Sequence, residues 1–288
     1  MSDFPTIGIV VIHFSGIELT KKCLEHVAQL TGVDIRLALV DNGELGDAPP
    51  IPSSLQGKVI RIENHGFSHA NNAGFQWLKE QAVDAVWLLN NDAFPEPSAL
   101  ENLISDSQAL TSSFPVAAGS LLLNENGSIQ ARGGVWFPSK GTGLQVVSGQ
   151  PEHGIPYPAG AVLLLNRPAL DSLDWKMDER YFLYFEELDL VLRLSKIPGF
   201  KVHWSETSKV THLEGASAGS GHAHHDRSAF SEYHFHRSKR LFYEKNFPDL
   251  MGKMVFLQVA VVGKRLLKGD LKRAVAAWRG FFKKTMNV

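Results

Sequence analysis

The sequence predicts an α/β fold built on a mostly parallel sheet flanked by helices, and three observations carry that prediction. The chain opens with two short, β-branched apolar runs, Ile7 to Phe14 and Ile35 to Val40, of the kind that form strands buried on both faces. Between them Leu19, Cys23, Leu24, Val27 and Leu30 recur at helical spacing, so the opening reads strand, helix, strand, as in a parallel crossover unit. A third apolar run, Trp87 to Leu89, ends in Asn90, Asn91 and Asp92, much as the second ends in Asp41, Asn42 and Gly43. Strands that stop in amides and carboxylates present those groups at the carboxyl edge of the sheet, where open α/β folds bind ligands.

The remaining elements follow in order. Lys58 to Ile62 predicts a strand, and Glu63 to Phe75 a loop entering a helix that runs to about Gln81. Pro49, Pro50 and Pro52 exclude a central strand from the connector before it. Phe94 to Leu110 predicts a helix initiated by proline. Strands near Val116 to Leu123, Gly134 to Phe137 and Ala161 to Leu165 come next, with Gly141, Gly143, Gly149 and Gly154 marking loops between them, placed to border a cleft or simply to cover the surface. A helix from Glu186 to Lys196 precedes strand-like segments at Lys201 to Trp204 and Lys209 to Thr211. The organisation expected is residues 1–111, residues 112–225 and a helical extension over 226–288.

Composition narrows the class. With 288 residues, 44% of them hydrophobic, and a net charge of −1, the chain can bury one sizeable core or two closely packed subdomains, and it lacks the global basic balance of a nucleic-acid binder. A single cysteine, Cys23, excludes an internal disulfide and reads as a small core residue. No basic region precedes the first apolar run, which has strand length, so cytoplasmic residence is expected.

Several side chains carry chemistry. Asp92 is a candidate ligand for Mg²⁺ or Mn²⁺, hard cations that complete their shell with water and phosphate oxygens; the plain alternative is an Asx turn closing the strand. Glu186, Glu187 and Asp189 put three carboxylates at the start of a helix. Glu186 and Glu187 lie about 100° apart there, so only one points into a given cleft. Asp189 and Arg193 have the i,i+4 spacing of a helix-face ion pair. His212 ends a strand-like segment, and a neutral imidazole suits Mn²⁺ better than Mg²⁺. His222, His224 and His225 sit in a Gly/Ala/Ser-rich segment and are left out of the site.

Val40-Asp41-Asn42, Asn64-His65-Gly66-Phe67 with Asn71-Asn72-Ala73-Gly74, and Leu88-Leu89-Asn90-Asn91-Asp92 resemble successive motifs of family 2 glycosyltransferases. The likeness is to the branch that holds bacterial rhamnosyl and galactofuranosyl transferases. It continues through Tyr157-Pro158-Ala159-Gly160-Ala161, Phe182 to Leu190 with Arg193, and His212 to Ser217, covering roughly residues 5 to 245. The resemblance implies a GT-A fold, with 1–111 as the nucleotide-sugar half and 112–225 as the acceptor half. It also implies a dTDP- or UDP-sugar donor, a divalent metal held by Asp92 and His212, and an inverting transfer to a saccharide or lipid-linked acceptor of a cell-surface polysaccharide. In that scheme Glu187 is the base, with Glu186, Asp189 and Arg193 in the same motif. Asp41 contacts the nucleoside, with Asn42, Asn64, Asn72 and Asn91 as further donor contacts, Gly160 allows close backbone approach, and Arg193 or Arg237 joins the metal at the diphosphate.

The chain departs from the family pattern at three places. Glu187 stands where the family usually has Asp, Asn90 replaces the first acid of the Asp-x-Asp pattern, and Ser15 and Gly16 follow the first strand where Asn is common. A non-catalytic nucleotide-sugar-binding protein is therefore the rival reading; a sugar-nucleotide nucleotidyltransferase lacks its Gly-rich, Arg-containing loop, and a metallohydrolase lacks a helical His-Glu-x-x-His. At the C-terminus Lys264, Arg265, Lys268, Lys272, Arg273, Arg279, Lys283 and Lys284 face one acid, Asp270, and interleave with Val261, Val262, Leu266, Leu267, Leu271, Val275, Trp278, Phe281 and Phe282. The spacing predicts a basic amphipathic helix or helix pair, suited either to packing on the domain or to peripheral contact with an anionic membrane.

Overall fold

The structure is a computed structural model that describes residues 4–43, 48–149, 153–213 and 228–283. The predicted crossover is present: β1 (Thr6–His13), α1 (Ile17–Val27) and β2 (Asp34–Asp41) are followed by β3 (Gln56–Arg61), α2 (Phe67–Glu80) and β4 (Ala85–Asn90). Beyond them lie β5 (Ala93–Pro95), α3 (Ala99–Ser107), β6 (Val116–Leu123), β7 (Ile129–Ala131), β8 (Gly133–Phe137), β9 (Thr142–Val146), β10 (Ile155–Tyr157), β11 (Val162–Asn166), α4 (Arg167–Ser172), α5 (Glu186–Leu194) and β12 (Lys201–His212). The chain closes with α6 (Ala229–Asn246), a 3-10 turn (Pro248–Leu250), α7 (Met251–Leu267) and α8 (Leu271–Phe282).

Among the described residues the main sheet has nine strands in the order β3-β2-β1-β4-β11-β6-β12-β5, with β7 paired to β6. Strands β1, β2, β3, β4, β6 and β12 run one way, and β5, β7 and β11 run against them. The all-apolar runs of β1, β2 and β4 are explained by burial on both faces: Ile7, Ile9 and Val11 pack with Trp87 and Leu89 on one side, and Val10 packs with Val40 and Leu88 on the other. Strands β10, β8 and β9 form a smaller sheet.

Two expectations need correction. Phe94 and Pro95 do not begin a helix. They form the edge strand β5, antiparallel to β12, and α3 starts four residues after Pro95, at Ala99. The pull is non-local, because Phe94 is buried in the main core and its backbone pairs with Thr211. The two strand-like pieces before His212 are one twelve-residue strand with an irregularity between Trp204 and Lys209.

The C-terminal helices pack onto the sheet domain. α6 lies against an aromatic cluster in which Phe242 and Tyr243 meet Trp136, Tyr181 and Phe185. α8 crosses α6 so closely that a Cβ on Gly280 would lie 2.2 Å from the Tyr233 carbonyl oxygen, so only glycine fits there.

Candidate active site

The carboxyl ends of β1, β2 and β4 and the last residue of β12 meet at one edge of the sheet, and the predicted polar groups gather there. His212 pairs with Ala93 in the β5–β12 ladder, which sets its ring beside Asp92. The imidazole Nε2 lies 3.4 Å from Asp92 Oδ1, and both residues are buried. Gln130, in β7, orients the ring. Its amide NH₂ donates to the His212 carbonyl at 3.1 Å, which turns its Oε1 to the imidazole Nδ1 at 2.9 Å. Nδ1 is therefore the nitrogen that donates to Gln130, and Nε2 faces the Asp92 carboxylate. Nε2 and the carboxylate are close enough for one cation to be reached by both, and the ring is held by an outer hydrogen bond of the kind that metal-ligating histidines make. Gln130 is a residue the sequence reading missed, since nothing in a three-residue strand points to a partner 82 positions away.

The Glu186–Glu187 pair opens α5. Tyr184 and Phe185 precede it with φ of 70° and 71°, two successive left-handed residues that cost about 1–3 kcal/mol each unless packing holds them. Phe185 is held: its ring meets Trp136 at 5.0 Å, Phe242 at 5.2 Å and Phe235 at 5.4 Å. Glu187 is half-buried and looks at Gly160, whose missing Cβ would lie 3.8 Å from its carboxyl carbon. Gly160 adjoins Ala161, whose carbonyl accepts from the Asn90 amide at 3.0 Å, so Glu187 serves the same sheet edge as Asp92. Burial pushes the Glu187 carboxyl up to about 6. Glu186 is buried outright; desolvation, then the neighbouring Glu187 charge, raises it well above the usual carboxylate range. Its Oε2 has no hydrogen-bond partner among the described residues.

Asp189 and Arg193 do not form their i,i+4 pair. Asp189, 1% exposed, accepts from Lys245 Nζ at 2.8 Å, Tyr181 OH at 3.2 Å and Asn246 Nδ2 at 3.3 Å, which ties α5 to α6. Arg193 donates to the carbonyls of Lys176 and Leu173 at 2.8 and 3.2 Å, and Arg237 donates to the Arg180 carbonyl at 3.0 Å. Both guanidiniums are committed to backbone that the sequence could not place beside them.

The residues expected to contact the donor divide in two. Asp41 accepts from the amides of Gly43 and Ala48 at 3.4 and 3.2 Å, with Arg61 at 3.6 Å. Asn42 donates to Asn64 Oδ1 at 3.2 Å, and that oxygen also receives the Gly66 amide at 3.1 Å. Asn42 Oδ1 is buried with no partner among the described residues, an acceptor that a ligand would satisfy. Asn72 and Asn91 are internal clamps. Asn72 donates to Met177 O and Glu179 and accepts from the Met177 amide. Asn91 donates to Ser15 O and Thr20 Oγ1 at 3.1 and 2.9 Å. Gly66, at φ 100° and ψ 177°, brings the two sides together: a Cβ there would lie 2.4 Å from Phe182 O, to which the Phe67 amide donates at 2.7 Å. His222, His224, His225 and the Glu214–Ser217 part of the last motif lie outside the described residues.

Residues 8–118 match glycosyl transferase family 2. The match covers β1 through the start of β6, which includes Asp41, Asn64 and Asp92. No curated protein matches the chain. Among solved structures it is similar to S. aureus TarS, with 11% identity and a TM-score of 0.50 over 83% of this chain and 40% of that one. It is also similar to S. aureus TarS 1-349 in complex with UDP-GlcNAc, with 13% identity and a TM-score of 0.52 over 82% of this chain and 66% of that one. The chain thus spans less than two thirds of either structure. The likeness is one of fold, and the fold is GT-A, with C-terminal helices present.

Proposed function

We propose that this chain is an inverting glycosyltransferase that moves a sugar from a nucleotide-diphosphate donor to a hydroxyl of a saccharide or lipid-linked acceptor. The observation that carries the reading is the convergence at one sheet edge of the Asp92–His212 pair and of Glu187, a carboxylate raised to about 6 by burial. The family 2 match over residues 8–118 and the UDP-GlcNAc held by a fold relative support it.

Glu187 accepts the proton of the acceptor hydroxyl as that oxygen attacks the anomeric carbon from the face opposite the nucleotide. A raised pKa makes it a stronger base than an exposed glutamate, and Gly160 leaves room at its carboxyl. Asp92 and His212 would hold Mn²⁺ in preference to Mg²⁺, since one ligand is an imidazole. Such a cation supplies charge stabilisation at the departing diphosphate. Among the described residues no three His, Cys, Asp or Glu side chains form a metal cluster, a donor set compatible with a shell completed by phosphate oxygens and water. Asp41 and Asn42 bind the nucleoside, the unpartnered Asn42 Oδ1 taking a base N–H.

The resemblance favours rhamnose from a dTDP donor, and the fold relative brings UDP-GlcNAc forward as its competitor. A panel of nucleotide sugars with Mn²⁺, scored for binding and for release of the nucleoside diphosphate, decides both donor and activity. Release from one donor, abolished by chelator, is expected. Tight binding without release from any donor, with or without acceptor, would assign the chain to the non-catalytic rival.

Peripheral membrane contact is part of the same reading. Among the described residues no helix is long and apolar enough to cross a membrane, yet Phe256, Leu267, Leu271 and Trp278 are 73%, 92%, 63% and 46% exposed on α7 and α8. Exposed Lys264, Lys268, Lys272 and Arg279 flank them, the combination that seats a helix in an anionic interface.

A further inference from the structure

A cavity of about 760 Å³ opens between the β8–β9 hairpin, α6 and the α7–α8 pair, away from the Asp92 edge. Lys239, Lys264, Arg265, Lys268 and Arg273 bring five cationic side chains to it against two carboxylates, Glu232 and Asp270. That excess is concentrated in a chain whose net charge is −1. Both acids are already engaged. Glu232 lies 2.6 Å from the Arg265 guanidinium and 2.8 Å from His236 Nε2, and Asp270 is paired with Arg273.

Lys239, Lys264 and Lys268 are left without a carboxylate partner among the described residues. Lys264 and Lys268 are exposed. Lys239 is not: it is 7% exposed, and among the described residues its ammonium makes one hydrogen bond, to the Gly141 carbonyl at 2.7 Å in the turn of the hairpin, and lies 5.9 Å from the Trp136 ring centroid. Desolvation lowers its pKa to about 8. Arg265 Nε is also buried without a hydrogen-bond partner among the described residues. A buried ammonium facing a cavity with one neutral acceptor is unfavourable unless an anion completes its shell.

The geometry points to this cavity as a phosphate-ester site, with a phosphate or diphosphate group held by Lys239 within and by Lys264 and Lys268 at the mouth. Lysine is suited to phosphate as a compact point charge. Leu266, Leu267 and Leu271, 51%, 92% and 63% exposed, neighbour the mouth in the chain, so an acyl or prenyl tail on the same phosphate would meet apolar surface as it leaves. The phosphate chemistry is common to a lipid headgroup and a soluble ester, and the site is independent of whether the sheet edge transfers sugar.

Titration calorimetry with inorganic pyrophosphate, in chelator so that the Asp92 site lacks its cation, tests the proposal on the full chain. Lys239→Met should weaken binding about tenfold or more, the loss of one charge-assisted contact. The double change Lys264→Gln with Lys268→Gln, at exposed positions, should weaken it similarly even if Lys239→Met perturbs folding. Asp92→Ala should leave it unchanged. Co-sedimentation with phosphatidylcholine vesicles containing phosphatidic acid then separates the sources. Capture lost in Lys239→Met supports a lipid phosphate, whereas pyrophosphate binding without vesicle capture supports a soluble ester. Pyrophosphate affinity unchanged in Lys239→Met and in the double variant, or lost in Asp92→Ala, overturns the proposal.

Discussion

Replacing Gly66 by alanine tests the joint between the loop after β3 and the helix that carries Glu187. At φ 100° and ψ 177° this residue occupies backbone space essentially reserved for glycine, and a Cβ there costs about 1–3 kcal/mol in strain. The added methyl would also sit 2.4 Å from Phe182 O. Backbone must therefore shift, and the 2.7 Å bond from the Phe67 amide to that oxygen is lost, about 1 kcal/mol more. Gly66→Ala should destabilise the protein by about 2–4 kcal/mol, a large part of the 5–15 kcal/mol of a typical domain. Phe182 lies five residues before Glu187 in the chain, so the displacement reaches the base, and a shift of about 1 Å there lowers kcat by up to a hundredfold. Urea unfolding followed by tryptophan fluorescence gives the first quantity, and initial-rate kinetics with the donor identified by the panel gives the second. A stability within about 0.5 kcal/mol of wild type, the range of an inconsequential surface change, would refute the account of the joint.

Further outcomes are expected at the carboxylate pair, at Gln130 and at Lys245. Transfer should rise with pH and level off with a midpoint near 6, the value to which burial brings Glu187. Glu187→Gln should retain donor binding and lose about 10²–10⁴-fold in rate, whereas a larger loss in Glu186→Gln would transfer the base to that residue. Glu186, whose folded pKa is raised, contributes stability present at low pH and lost as pH rises through its folded value; Glu186→Gln should therefore match wild type near pH 4 and exceed it near pH 8 in thermal melts. Gln130→Met removes the acceptor that holds His212 Nδ1 and should weaken Mn²⁺ binding about 10–100-fold, read by titration calorimetry beside Asp92→Ala and His212→Ala; wild-type affinity in all three would remove the metal assignment. Lys245→Met strands the buried Asp189 and should cost about 3–5 kcal/mol. Burial opposes ionisation of Asp178, but hydrogen bonds from Arg180 and Lys245 outweigh it and hold that carboxyl well below the usual range. The stability Asp178 supplies is present above its unfolded pKa and lost in acid, and the variant should show a shallower acid loss in urea melts between about pH 4 and pH 2.

Strands β1, β2 and β4 were legible because burial on both faces leaves a continuous apolar run, and β2 and β4 end at Asp41 and Asn90, which interrupt it. The proximity of Asp92 and His212 was expected only through the family resemblance, since 120 residues separate them in the chain. What escaped was set by partners distant in sequence. Phe94 and Pro95 look like the entry to a helix until β12 supplies a ladder partner more than a hundred residues later. Asn72 and Asn91 read as donor ligands, yet each amide closes on backbone that only the fold brings near. Arg265 looked like part of a solvated basic face and instead meets Glu232 of α6. Lys239 carried no signal at all, because a lysine among polar helix residues looks the same whether it faces water or a cavity.

Strand β11 lies between β4 and β6 and hydrogen-bonds to both. Its position has a temporal meaning. When the ribosome has released β4, the backbone groups along one side of that strand have nothing to pair with, and they wait until Asn166 has emerged, on the order of 4–15 s later at usual elongation rates. Through that interval the nascent N-terminal part of the sheet exposes an apolar strand edge, the kind of template that recruits strands from other chains. A fragment ending near residue 111 keeps that edge open permanently, so it should self-associate through β4, and rescue would come from supplying the segment from Val162 to Asn166 in trans.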